Sequence, residues 1–270
     1  SGTDDAYTDW VYPGGSPRPF CFETYAPQMT ASNFAPPNAE LCGDQWNEVW
    51  RKHLEGNLPW GIEFLGNPLD GPYWRQKSVR PDYGRVQCPV FVIGGWADWY
   101  PTPLLRAFTN LDVPKRALVG PWSHQWPERG IPGPRIDGMH ECLAWFDQWL
   151  KGMETGVLAR PPVTVFVKTY TEPATAQLTA NGAWRHENEW PPARGEKTPF
   201  YLQSDGGLGN EPCRTSANEC DRHRYDPTIG MASGRHAGGA HGWAGMPTDQ
   251  RPDEIRSLVY TTEPLDHCLE

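Results

Sequence analysis

Val90-Phe91-Val92-Ile93-Gly94-Gly95-Trp96-Ala97-Asp98 is followed further along the chain by Ala117-Leu118-Val119-Gly120-Pro121-Trp122-Ser123-His124. Each stretch is an apolar run long enough for one strand, broken by glycine, and each ends on a side chain able to do proton chemistry. Short apolar runs without polar alternation are the pattern of parallel strands buried on both faces. Between them, Thr102-Pro103 opens a helical stretch running to about Leu111, with proline in the first turn, where its missing N–H is not needed. Strand, helix, strand predicts a βαβ unit, so the residues after the two strands leave the sheet at the same edge. Open α/β sheets gather their chemistry at that edge. Asp98 and His124 are therefore expected to meet, the carboxylate orienting the imidazole and the imidazole moving a proton. Asp before His also matches the order Ser, Asp, His of hydrolases built on a nucleophile elbow. The third member is missing, because no Gly-x-Ser-x-Gly occurs in the 270 residues.

Bulk composition narrows the class. With 38% hydrophobic residues and 14 Trp the chain is a folded protein, and its length allows one or two domains. A formal net charge of −9, with no run of Lys and Arg, argues against a nucleic-acid partner. No apolar run is long enough for a membrane span. The seven cysteines form no Cys-x-x-Cys pair, which removes zinc ribbons and thioredoxin-like motifs. Cys213 and Cys220 flank a polar loop and are read either as a disulfide or as two thiols; Cys88, Cys142 and Cys268 read as small core residues. The compartment stays open, with the cytoplasm favoured weakly in the absence of a basic and apolar leader. The chain begins Ser1-Gly2-Thr3 without an initiator Met, so it is expected to be an internal or C-terminal portion.

Working outward, residues up to about Pro36 carry the turn signal Tyr12-Pro13-Gly14-Gly15-Ser16-Pro17 and are expected to be irregular connection. Residues 37–80 read as a helical cap segment: Leu41, Trp46, Val49, Trp50, His53 and Leu54 recur at helical spacing, with Asp44 as a candidate cap. After the second strand, Asp137 is placed to cap a helix ending at Gly152, whose face of Met139, Cys142, Leu143, Phe146, Trp149 and Leu150 should pack on the sheet. Past Arg160-Pro161-Pro162 the period switches to two, in Val163 to Val167, then near Phe200 and Leu202, then at Leu258-Val259-Tyr260. This predicts the C-terminal part of an α/β domain over residues 1–158, then an all-β sandwich or jelly roll over 159–270, incomplete at the chain's end.

Gly94-Gly95-Trp96-Ala97-Asp98-Trp99-Tyr100, Gly120-Pro121-Trp122-Ser123-His124 and Trp145-Phe146-Asp147-Gln148-Trp149-Leu150-Lys151-Gly152 resemble the signature blocks of the cocaine-esterase and X-prolyl dipeptidyl-peptidase family. Weaker likenesses at Tyr12-Pro13-Gly14-Gly15, Asp70 to Arg75, Trp190-Pro191-Pro192 and Tyr260 to Leu265 extend the resemblance over most of the chain. It implies a serine hydrolase with an α/β-hydrolase core, a helical cap and a C-terminal jelly roll, in which Asp98 and His124 complete the triad. It also implies a nucleophile and an oxyanion-hole tyrosine upstream of Ser1, so this chain is expected to be inactive alone and to need the N-terminal part of its catalytic domain. The implied substrate is a small ester, a dipeptidyl peptide or an acyl amide, with no cofactor.

Trp96, Trp99, Tyr100, Trp122 and Trp126 surround the acid and base in sequence and are candidates for an apolar substrate wall, with core packing as the competing role. Ser16, Ser123, Ser204 and Ser233 lack the strand-turn-helix setting of a nucleophile. His223, His236 and His241 match no zinc spacing, and His140-Glu141 lacks the second histidine of a metalloprotease motif, so no metal is expected. The rival reading is a non-catalytic jelly roll binding carbohydrate or protein. A homo-oligomer is left open.

Overall fold

The two apolar runs form adjacent parallel strands, β1 (Val90–Gly95) and β2 (Lys115–Gly120), in register from Val90 opposite Lys115 to Gly95 opposite Gly120. The structure is a computed structural model that describes residues 4–32, 34–174, 176–213, 220–232 and 247–266. Ser233, His236, His241 and Cys268 lie outside the described residues. The chain divides into two compact units, one of residues 1–88 with 102–114 and the other of 89–101 with 115–270.

The first unit is helical. The stretch expected as irregular connection forms a wide helical turn over Ala6–Val11, closed by Tyr12 N donating to Tyr7 O at 2.7 Å, a second turn over Cys21–Tyr25, and α1 (Ala26–Ser32). Pro13, Gly14 and Gly15 of the turn signal form one tight turn, and the flanks carry the rings that make the core. Tyr7 stacks on Tyr12 at 5.1 Å, Trp74 lies 5.9 Å from both, and Phe64 packs against Trp74 at 5.4 Å. Tyr12 and Trp74 satisfy their polar ends on the carbonyls of Phe64 and Asn67, so they bury large area without an orphaned donor. The segment 37–80 is helical as expected, with α2 (Ala39–Cys42), α3 (Trp46–Glu55), α4 (Trp60–Gly66) and α5 (Pro72–Arg75). The cap is Asn38, whose Oδ1 accepts from Glu40 N and Leu41 N, and not Asp44. Cys21 is fully buried, which pushes its thiol up to about 11, whereas Cys88, expected in a core, is exposed just ahead of β1.

α6 (Pro101–Asn110) belongs mainly to this unit and carries its charged anchor. Arg106 Nε donates to Asp4 at 2.5 Å and Nη2 to Asp9, while Tyr83 Oη donates to Asp4 at 2.6 Å. Burial holds the Asp9 carboxyl above the usual carboxylate range against the opposing pull of Arg106. Removing the guanidinium leaves two nearly buried carboxylates without a counter-charge, so Arg106→Met is expected to destabilise the unit by about 3 kcal/mol. Urea unfolding followed by tryptophan fluorescence measures it; a loss below about 0.5 kcal/mol would make the cluster a surface ion pair in energetic terms.

The second unit is built on a four-stranded sheet in the order β1-β2-β3-β4. β3 (Val163–Lys168) pairs parallel to β2, and β4 (Gly182–Glu187) pairs antiparallel to β3. β3, the first strand past residue 159, thus continues the sheet of β1 and β2. Val163, Thr164, Val165 and Phe166 are all buried, so β3 is covered on both faces, and the Thr164 hydroxyl is matched across the strand pair by His186 Nδ1 at 3.1 Å. After β4 the described residues hold one small hairpin, β5 (Tyr201–Leu202) with β6 (Leu208–Gly209), and a short helix α8 (Arg251–Glu254). Leu258-Val259-Tyr260, expected as a strand, contributes no ladder, and the neighbouring Thr261 makes an isolated bridge to Gly207.

α7 (Gly138–Lys151) has the predicted ends: Asp137 Oδ1 accepts from His140 N, and Gly152 takes the left-handed conformation that terminates the helix. Its rotation is not the predicted one. Arg116 of β2 and Arg160 both bind Glu141, at 2.6 and 2.9 Å, and one turn on from Glu141 the Trp145 ring lies 5.6 Å from Phe91 of β1. The Glu141 and Trp145 side therefore faces the sheet, and Met139, Leu143, Phe146 and Leu150 are each more than half exposed.

Candidate active site

Asp98 and His124 are delivered by two loops stitched together through their backbones. Trp96 N donates to Gly120 O at 2.9 Å and Ala97 N to Trp122 O at 3.0 Å, so the loop after β1 continues the sheet's bonding onto the loop after β2. Asp98 N donates back to Gly95 O at 3.1 Å, and Ser123 N to Ile131 O at 2.8 Å. Trp122 is the wedge beneath both loops. It is fully buried, and its Nε1 donates to Pro134 O at 2.7 Å. Three glycines clear space for it: a Cβ at Gly95 would stand 1.9 Å from the Trp122 carbonyl oxygen, and at Gly120 and Gly130 it would stand 2.4 and 2.1 Å from the indole.

On this base, Asp98 Oδ2 lies 2.9 Å from His124 Nδ1, and Asp98 Oδ1 accepts from Trp99 N at 2.5 Å. One oxygen is held by the chain and the other by the ring, so the carboxylate has little freedom left. The Asp98 side chain is 10% exposed and that of His124 49%, the contrast expected of a buried orienting acid and an imidazole open to solvent. The hydrogen bond that His124 donates to Asp98 holds the imidazole pKa above its ordinary value, opposed by partial burial. Nδ1 being taken, Nε2 is the nitrogen left to exchange a proton.

The five aromatic candidates divide. Tyr100 lies beside the imidazole, ring centroids 5.5 Å apart, and Trp99 packs edge-on against Tyr100 at 6.5 Å. Trp96 is partly buried, with Nε1 donating to Phe166 O of β3 at 2.7 Å and its ring 6.4 Å from Trp190. Trp126 is exposed. Trp122 offers a ligand no surface, because the glycine-lined slot that admits its indole closes around it. Trp190 entered the sequence reading only through the Trp190-Pro191-Pro192 likeness and not as a site residue, and nothing local marked Gly130.

Two family descriptions match the chain: X-Pro dipeptidyl-peptidase (S15 family) over residues 1–126 and X-Pro dipeptidyl-peptidase C-terminal non-catalytic domain over 155–270. Together the two matches cover most of the chain and place it with the X-Pro dipeptidyl-peptidases of the S15 family. Its relatives include proteins of Mycobacterium bovis and Mycobacterium tuberculosis provisionally named serine esterases, each 28% identical over 226 residues, covering 77% of this chain and 33% of the relative. A Bacillus anthracis protein provisionally named an Xaa-Pro dipeptidyl-peptidase is 26% identical over 174 residues, covering 62% of this chain and 24% of its own. A crystal structure of a CocE/NonD family hydrolase from Staphylococcus aureus superposes with a TM-score of 0.54 at 16% identity, covering 77% of this chain and 33% of that one, which carries the α/β-hydrolase-like fold. The chain thus spans between about a quarter and a third of the length of these relatives.

In a family of serine hydrolases the serines of this chain need placing. Ser123 is 1% exposed beside His124, and Ser16 and Ser204 are exposed in turns. Among the described residues no serine hydroxyl is hydrogen-bonded to His124. Among them, too, no group of three or more His, Cys, Asp or Glu is arranged to hold a metal, and no helix is long and apolar enough to cross a membrane.

Proposed function

We propose that this chain supplies the acid–base half of a serine hydrolase acting on esters or on X-prolyl and other acyl amides. The observation that carries the reading is the Asp98 to His124 contact at 2.9 Å with the imidazole half open to solvent. Nε2 of His124 takes the hydroxyl proton of a serine as that oxygen attacks the acyl carbon, and returns it to the departing alcohol or amine. In the second half the same nitrogen takes a proton from water, hydroxide attacks the acyl-serine, and the proton goes back to the serine oxygen as the acid leaves. Asp98 holds Nδ1–H throughout and stabilises the imidazolium.

The nucleophile and the oxyanion donors come, on this reading, from polypeptide that the relatives carry outside the matched region. Two surfaces support a partner of that kind. β1 stands at the edge of the sheet with Val90 to Ile93 only partly buried, unusual for a parallel strand so apolar. Beside it, α7 presents Met139, Leu143, Phe146 and Leu150 at alternating spacings of four and three, the seam another helix packs against. The test is labelling with a fluorophosphonate. Joined to a nucleophile-bearing partner, the protein is expected to be marked, and His124→Ala to remove the mark; the chain alone is expected to stay unmarked. Labelling that survives His124→Ala would sink the reading.

A further inference from the structure

We infer that Tyr100 is a positioning residue for His124, holding the face of the imidazole while Asp98 holds its edge. This rests on the reading of His124 as the acid–base group. A hydrogen bond at Nδ1 fixes where one atom of the ring lies, but a side chain 49% exposed can still tip about that bond. The Tyr100 ring lies 5.5 Å from the imidazole at an interplanar angle of 57°, within the range in which tilted aromatic pairs attract.

Tyr100 is itself braced. Trp99 packs against it at 6.5 Å and an angle of 70°, and Trp99 N is bound to Asp98 Oδ1 at 2.5 Å. Pro101 follows directly, and a proline disfavours helical conformations in the residue before it, which narrows the backbone at Tyr100. Asp98, Trp99 and Tyr100 therefore act as three consecutive parts of one holder: carboxylate to the ring edge, backbone N–H to the carboxylate, phenol ring to the ring face. A residue that only lined a substrate cleft would leave the empty site's imidazole unaffected.

The experiment is histidine 15N NMR on this chain, with His124 assigned through His124→Ala. The unsubstituted chain is expected to show His124 as the Nδ1–H tautomer with a slowly exchanging proton. Tyr100→Ala is expected to raise the exchange rate of that proton about tenfold and to mix the two tautomers, while Tyr100→Phe retains the original spectrum. Should the alanine variant fail to fold, Tyr100→Leu carries the same expectation, since it keeps apolar bulk without a ring. A folded Ala or Leu variant with an unchanged His124 signal overturns the role of Tyr100, and so does a Phe variant that behaves like Ala. An unsubstituted chain that shows the Nε2–H tautomer instead overturns the Asp98 and His124 reading itself.

Discussion

Asp98→Asn, in an enzyme completed by its nucleophile, is expected to lower kcat by on the order of 10⁴-fold while leaving the fold intact. The substitution keeps shape and volume. An asparagine oxygen can still accept from Trp99 N, so the loop is held, but the group then facing His124 Nδ1 is an NH₂ donor. The imidazole answers by making Nδ1 the acceptor and putting its proton on Nε2, and a protonated Nε2 cannot take a proton from a serine. Stopped-flow acylation by a chromogenic ester, with circular dichroism as the folding control, separates this chemical loss from misfolding. The pH dependence has a definite sign. The folded His124 pKa is raised, so the pair's contribution to stability is fully present below the unfolded imidazole value and is lost as pH rises through the folded one. Acylation, which needs the neutral ring, should instead rise across that same interval.

Trp122→Ala is expected to act on stability, lowering it by about 3–5 kcal/mol as buried aromatic truncations do. The indole fills a slot that Gly120 and Gly130 leave for it, and neither glycine can grow a side chain to fill the vacancy without its own neighbours shifting. Gly130→Ala, which sets a Cβ 2.1 Å from the ring, should destabilise from the opposite direction by overpacking. Urea unfolding of both variants measures the effect. A Trp122→Ala loss under about 1 kcal/mol would mean that the wedge is not what holds the two loops together.

The parts of the fold legible in the sequence are those set by local signals. β1 is an apolar run, β2 turns apolar past Lys115 and Arg116, α6 carries proline in its first turn, and α7 is bounded by Asp137 and Gly152, so the edge from which Asp98 and His124 emerge is legible in the sequence. What failed depends on partners distant in the chain. The aromatic core of the first unit is assembled from Tyr7 and Tyr12 with Phe64 and Trp74, and a stretch rich in turn residues gives no warning that its flanks will be buried. The rotation of α7 is decided by Arg116 and Arg160 on Glu141, since apolar residues occur all round that helix and periodicity alone does not choose among them. β3 shows a period of two because Thr164 falls between its valines, yet it is covered on both faces, since a hydroxyl matched by His186 is buried at little loss. At the site, the Asp and His were visible, while the separation of the tryptophans was not: Trp122 and Trp126 look alike in sequence, and only the glycines around the first put it in the core.

The central claim is that a carboxylate and an imidazole from neighbouring strand ends share a proton-orienting hydrogen bond. Titration of His124 by 15N NMR, with Asp98→Asn alongside, tests it most directly. His124 is expected to titrate with a midpoint above that of a free histidine and to carry its neutral proton on Nδ1, and in the variant the midpoint is expected to fall and the proton to switch to Nε2. An unshifted midpoint that is indifferent to Asp98→Asn would contradict it.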